Sequence, residues 1–205
     1  MKDNDRKMFA IYKMYEPGQL QQNKHFASNI DSLLARIQPK RIIEIGTARG
    51  GSTLLISEAV KTLGLDTKIK TFDVYVKGPH LPMEMDNVEF IVDNIFNEDW
   101  SELVKPEEIE NFLSADGINL ILCDGGNKKK EFELLAKYLK PGDIIMAHDY
   151  APNREVFNNE YVDKIWNWME ITDEHMEETC KKYNLKDYLP EIIKPYAWVA
   201  KIKKG

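Results

Sequence analysis

Cysteine is scarce in this chain. Only Cys123 and Cys180 occur in 205 residues, too few for a disulfide framework or a thiolate zinc site, and a reducing cytoplasm is the expected setting. Long apolar runs are missing too: no window approaches the roughly 18 residues of a membrane-spanning helix. The opening Met1-Lys2-Asp3-Asn4-Asp5-Arg6-Lys7 lacks the apolar stretch of a secretory signal. Basic charge is outweighed, with 28 Lys and Arg against 34 Asp and Glu and a net charge of −6. That balance argues against a nucleic-acid partner held by counterion release. The one basic cluster, Lys128-Lys129-Lys130, opens a helical pattern and reads as a solvated face. There is no internal repeat and no low-complexity linker. The length suits one domain over 1–205, with an N-terminal helical segment to 39, an α/β core over 40–150 and a completing segment over 151–205.

What is present is alternation. Phe26, Ile30, Leu33, Leu34 and Ile37 mark one face of a helix ended by Pro39. The β-branched run Arg41 to Ile45 predicts a buried strand, followed by a helix over 52–63 that Gly64 stops. Further strands are expected at 68–74, 88–92, 118–123 and 143–148, with a helix over 128–140. Gly78, Pro79 and Pro82 make the link after the second strand a loop. Such a succession predicts parallel strands with helices on both faces. Toward the end, 161–168 and 173–183 read as helices, a short strand is expected near Met169, and Tyr196 to Ile202 alternates as a closing strand.

In a parallel sheet, ligands bind beyond the carboxyl ends of the strands, so the residues just after each apolar run carry the chemistry. The first run leads into Glu44-Ile45-Gly46-Thr47-Ala48-Arg49-Gly50-Gly51-Ser52, whose glycines let backbone approach a ligand. The next runs end at Asp73, Asp93, Asp124 and Asp149 in turn. Carboxylates gathered on one sheet edge are costly unless they meet cations or polar ligands. An acid at the position of Asp73 can take both hydroxyls of a ribose.

With Glu44-x-Gly46-x-x-x-Gly50, Asp73, Asp93, the run 118–124 and Lys140-Pro141-Gly142-Asp143-Ile144-Ile145-Met146, the chain resembles class I S-adenosylmethionine-dependent methyltransferases. It looks nearest to the metal-dependent O-methyltransferase branch of catechol, macrocin and cephalosporin-hydroxylase type. The resemblance covers roughly residues 20–150 and implies a Rossmann-like three-layer α/β sandwich, its sheet mostly parallel with an antiparallel C-terminal strand. It further implies S-adenosylmethionine as cofactor, a small-molecule or sugar hydroxyl as acceptor, and magnesium as an optional aid; a homo-oligomer is compatible with it. Carried over, Gly46, Thr47, Gly50 and Ser52 would line the methionine moiety, Glu44 would hold its ammonium, Asp73 the ribose and Asp93 the adenine amine. Asp124 would border the cofactor and hold the metal together with Asp149. Two departures stand out. The branch's Lys or His base three residues after the first metal Asp is Asn127 here, with Lys128 one place late. Its second acidic pair is His148-Asp149, which leaves His148 as ligand, base or hydrogen-bonded neighbour. Asp124, Lys128 and His148 are therefore the catalytic candidates. Trp166 and Trp168 read as core and edge aromatics, and His25, His80 and His175 as structural or exposed.

Two rival functions remain at this point. An NAD-dependent oxidoreductase would suit Asp73, but its Gly-x-Gly turn is broken by Ala48. A cofactor-binding protein without catalysis would suit Asn127 in place of a base.

Overall fold

The computed structural model describes residues 22–75 and 85–205. The loop read around Gly78, His80 and Pro82 lies outside the described residues. Helix α1 (Lys24–Ile37) starts where the Asn23 side chain accepts the His25 N–H at 2.8 Å and ends at left-handed Gln38, just before Pro39. It is followed by β1 (Arg41–Ile45), α2 (Gly51–Thr62), β2 (Lys68–Asp73) and β3 (Val88–Val92). The chain continues through α3 (Pro106–Ser114), β4 (Asn119–Cys123), α4 (Lys128–Leu135), β5 (Ile144–Ala147), α5 (Asp173–Lys182), β6 (Leu185–Asp187) and β7 (Val199–Lys203).

The strands form one seven-stranded sheet in the order β3-β2-β1-β4-β5-β7-β6. Every pairing is parallel except those of β7, which runs antiparallel to both β5 and β6. This is the Rossmann-like sandwich that the alternation and the resemblance predict. Successive Cβ atoms along a strand point to opposite faces, so Ile42 packs with α1 and α2 through Leu34 and Leu55, while Ile43 and Ile45 pack with Ile109 of α3 and Phe132 of α4. Both faces are dry, with Ile42, Ile43, Leu55, Ile109 and Leu135 fully buried. Burial of each such side chain contributes roughly 1.5–3 kcal/mol.

The order of strands reverses between β1 and β4, and that reversal opens a crevice at the carboxyl edge. Register makes the edge level. Ile45 pairs with Phe72 and with Cys123, and Cys123 pairs with Ala147. Gly46, Asp73, Asp124 and His148 thus emerge side by side.

Two elements depart from expectation. No helix runs through 161–168: a five-residue π turn, Phe157–Tyr161, gives way to left-handed Asp163, and the indole of Trp166 is drawn back to the β5 tip. No strand forms at Met169 either. Only a single bridge joins Tyr150 to Ile171, and the extra strand is β6 at Leu185–Asp187, whose pairing with β7 supplies the backbone partners.

Candidate functional site

At the β1 tip, Gly46 has φ +95°, and a Cβ there would lie 2.3 Å from the Asp124 carbonyl oxygen. Only glycine lets β1 and β4 close at this point. Gly50, also at positive φ, is the N-cap of α2. Behind this turn Glu44 is buried. Its Oε2 accepts the Thr53 hydroxyl at 2.5 Å and the Thr71 hydroxyl at 2.7 Å, and the Thr47 hydroxyl lies 2.7 Å from that of Thr71. Thr71 has spent its one proton on Glu44, so Thr47 is the donor in that last contact.

Burial above all pushes the Glu44 carboxyl up from 4.5 to about 7; the two threonines pull it down, and the charges of Asp124 and Asp73 raise it again. A native pKa above the unfolded value gives stability that is complete below about 4.5 and lost as pH rises through about 7. The difference corresponds to about 3 kcal/mol. Glu44→Gln keeps an acceptor for both threonines without the charge. It is expected to melt close to the unaltered protein at about pH 5 and several degrees above it at about pH 8. Thermal unfolding at the two pH values checks this. A variant that melts lower at both would mean that the ionised carboxylate stabilises the fold.

A cavity of about 280 Å³ opens over this edge, lined by Gly46, Asp73, Asp93, Phe96, Asp124 and Glu131 among others. Asp73 Oδ2 accepts the Ala48 N–H at 2.6 Å and Oδ1 accepts the Tyr75 N–H at 3.3 Å, which pins the carboxylate at the rim with lone pairs to spare. Asp93 is paired with Lys105, whose hydrogen bond holds the Asp93 carboxyl below its ordinary range. Thr47, Gly50 and Ser52 are not among the lining residues. The Thr47 hydroxyl is absorbed in the Glu44 chain, and Ser52 sits in the first turn of α2.

Asp124 also borders a second cavity of about 320 Å³, with Gly125, Lys128, His148, Asp149, Trp166 and Trp168. Here the expected residues converge. His148 Nδ1 lies 2.9 Å from Asp124 Oδ1 and 3.5 Å from Asp149 Oδ1. Facing carboxylate oxygens, Nδ1 carries a proton, and in the neutral ring the lone pair is then on Nε2. The ring lies between Trp198 and Trp166, each with its centroid 4.9 Å away, and Nε2 is buried with no partner among the described residues.

Asp149, at φ +56°, accepts the Trp166 indole N–H at 2.7 Å on Oδ1 and the Lys128 ammonium at 2.8 Å on Oδ2. Lys128 is therefore no solvated residue: it is 8% exposed. Burial works against its charge, yet Asp149, Asp124 and Glu170 together hold its pKa well above that of an ordinary lysine. Paired with these carboxylates, the amine is held in its charged form, which donates rather than accepts hydrogen bonds. Among the described residues no group of three or more His, Cys, Asp and Glu is placed to hold a metal ion.

The position where a base was expected, Asn127, is the N-cap of α4, its side chain accepting the Lys130 N–H. Four contributors escaped the sequence reading. Gln22 donates to Asp124 Oδ2 at 2.7 Å while accepting the Trp198 indole N–H at 2.9 Å. Glu170 binds both the Lys128 backbone N–H, at 2.8 Å, and its ammonium, at 3.2 Å. Glu131, fully buried, accepts the Gly125 and Asn127 N–H groups and so shapes the turn after β4. Trp166 walls the second cavity and holds Asp149. None had a local signal: Glu131 stands four residues after the N-cap Asn127, one place beyond the capping-box spacing.

Similar arrangements exist among solved structures. CmcI in its apo form matches over 87% of this chain and 71% of its own at 14% identity, with a TM-score of 0.61. CmcI with Mg and SAM matches over the same shares at 14% identity, TM-score 0.56. Human N-acetylserotonin methyltransferase in complex with SAM matches over 99% of this chain but 56% of its own, again at 14% identity, TM-score 0.52. At these identities the likeness is one of fold. No curated protein sequence matches the chain. The family model described as "Methyltransferase domain" matches residues 43–150, more than half of the chain and all of the edge from β1 to Tyr150. With that match over more than half of its length, including every residue named at the first cavity, the chain belongs to the methyltransferase domain family.

Proposed function

We propose that the protein transfers a methyl group from S-adenosylmethionine to a hydroxyl of a small-molecule acceptor, with the cofactor in the first cavity and the acceptor in the second. The observation that carries this reading is His148, which lines the second cavity: its Nε2 is buried without a partner among the described residues, and its Nδ1 is held by the one aspartate that borders both cavities. The first turn has Ala48 where an NAD phosphate loop has its second glycine, which argues against a dinucleotide.

The residues of the first cavity fit the cofactor. Gly46 and Ala48 line it with little side-chain bulk, Asp73 offers lone pairs at the rim for a ribose, and the apolar Phe96 and Trp100, with ring centroids 4.6 Å apart, suit a base ring. Glu44 is a buried acid that a ligand ammonium nearby would ionise, since a cation offsets the burial that keeps it protonated. When bound, the sulfonium supplies an activated methyl group and departs as a neutral thioether. The protein then has to align the acceptor and take one proton. His148 Nε2 accepts the hydroxyl proton as the new O–C bond forms, and Asp124 stabilises the resulting imidazolium through Nδ1.

Calorimetric titration tests the reading: S-adenosylmethionine or its demethylated product should bind and NAD should not. Asp73→Ala should weaken that binding by about 1–3 kcal/mol, the scale for hydrogen bonds to a charged group. Tight NAD binding with no response to either sulfur compound would overturn the assignment, and an unchanged affinity in the variant would remove Asp73 from the site.

A further inference from the structure

The second cavity contains a lysine where two carboxylates converge, and resting on the methyl-transfer reading, we infer that the Lys128 ammonium is its resident cation. It supplies the positive charge to the acceptor oxygen, so the site works without a divalent metal.

The argument starts from the oxygens. A divalent ion shared by Asp124 and Asp149 needs an oxygen of each carboxylate turned to one point, with no other cation already there. Here all four already accept hydrogen bonds: Asp124 Oδ1 from His148 and Oδ2 from Gln22, Asp149 Oδ1 from Trp166 and Oδ2 from Lys128. Each oxygen keeps a second lone pair, but the charge a shared ion would bring is already supplied by the Lys128 ammonium beside Asp149. CmcI was captured with Mg and SAM, but in this chain the charge that would relieve the carboxylates is covalently attached.

The lysine is held in place rather than merely nearby. Glu170 takes its backbone N–H at 2.8 Å and its ammonium at 3.2 Å, and Asp149 takes a second ammonium hydrogen at 2.8 Å. An ammonium has three hydrogens. Ion pairs to Asp149 and Glu170 fix its position, and a hydrogen not held by them is available to the cavity that Lys128 lines together with His148. An acceptor hydroxyl between Lys128 and His148 gives its proton to His148 Nε2 while its oxygen, gaining negative charge, receives that hydrogen of Lys128. The proton ends on the imidazole, the lysine stays protonated, and no co-reactant is needed. Lys128 in this role is a catalytic residue, and Glu170 is a positioning residue acting through it.

The metal is tested first without turnover. Manganese titrated into the intact protein and followed by electron paramagnetic resonance should show no stoichiometric site, with or without S-adenosylmethionine; one tightly bound ion per chain, displaced by magnesium, overturns the inference. Methyl transfer should proceed unchanged in excess chelator, and turnover lost to chelator and restored by magnesium likewise overturns it. Lys128→Gln should lower kcat by about 100-fold or more, the scale for removing one charge-stabilising donor, with calorimetric affinity for S-adenosylmethionine retained. Lys128→Arg should recover part of that loss by restoring the charge. A glutamine variant as fast as the unaltered protein would remove Lys128 from the reaction. Should the glutamine variant fail to fold, the manganese and chelator results on the intact protein decide alone. Failure of the methyl-transfer reading would show instead as absent S-adenosylmethionine binding.

Discussion

His148→Asn should lower kcat for methyl transfer by about two to four orders of magnitude, the range for losing a positioned general base, while leaving the affinity for S-adenosylmethionine unchanged. Asparagine is chosen because its amide can still donate toward Asp124 Oδ1, where Nδ1 now lies at 2.9 Å. What disappears is Nε2 and its lone pair, the atom that has no partner among the described residues. The ring also fills the space between Trp166 and Trp198, so some stability is lost, on the order of 1–3 kcal/mol for a shortened core side chain. Stability and catalysis separate in the measurement. Single-turnover rates are taken well below the melting temperature of the variant, and its cofactor affinity is measured by calorimetry in the same buffer. A variant that binds cofactor normally and turns over within about fivefold of the unaltered protein, against the expected hundredfold or more, would show that His148 takes no proton. A raised kcat at high pH in the variant, where solvent hydroxide substitutes for the base, would support the assignment from another side.

The second large effect is structural. Gly46→Ala places a Cβ 2.3 Å from the Asp124 carbonyl oxygen and 2.9 Å from Gly125 Cα, at a backbone φ of +95°. The obstacles are backbone atoms, held by the Gly46 N–H to Phe72 at 2.8 Å and the Asp124 N–H to Ile45 at 3.0 Å, so no side-chain rotation can relieve the clash. Relief requires β1 and β4 to part at the point where both cavities meet Asp124. Gly64→Ala is the matched control: φ is +64° there, and nothing lies within 4 Å of the added carbon. The control should cost only the left-handed penalty of about 1–2 kcal/mol, or roughly 2–8 °C in Tm for a chain of this size. Gly46→Ala should exceed the range above 4–5 kcal/mol that marks exceptional single substitutions, either yielding no soluble protein or melting at least about 10 °C lower without binding cofactor. Equal melting temperatures for the two variants, with cofactor binding intact in both, would show that the β1–β4 tip yields more easily than these distances imply.

Both predictions concern residues of the sheet edge, and that edge was the legible part of the chain. Continuous β-branched runs such as Arg41 to Ile45 and the 3.6-residue period of α1 are local signals, because backbone preference and burial on a face act over neighbouring residues. Once the alternation implies a parallel sheet, right-handed crossovers constrain how the strands can be ordered. The residues after each run must then share one edge, and that is how Gly46, Asp73, Asp93, Asp124 and Asp149 could be named together without coordinates.

Which partner each of those residues takes was decided only by the tertiary structure. Lys128 sits in a run of three lysines that reads as solvated, yet it is buried because β5 lies beside β4 and brings Asp149 to it, while the segment ending at Glu170 folds back over both. Gln22 reaches Asp124 across 102 residues of sequence, and Trp166 reaches Asp149 from a stretch whose π turn and left-handed Asp163 leave no periodic pattern. Hydrogen-bonding groups carry no record of a distant partner in their own sequence neighbourhood, whereas an apolar face does, since it must repeat to be buried. The sequence by itself determined the sheet, the crevice and the row of acids along it. The tertiary structure decided that the charge among those acids is a lysine, and that the unpartnered nitrogen is on His148.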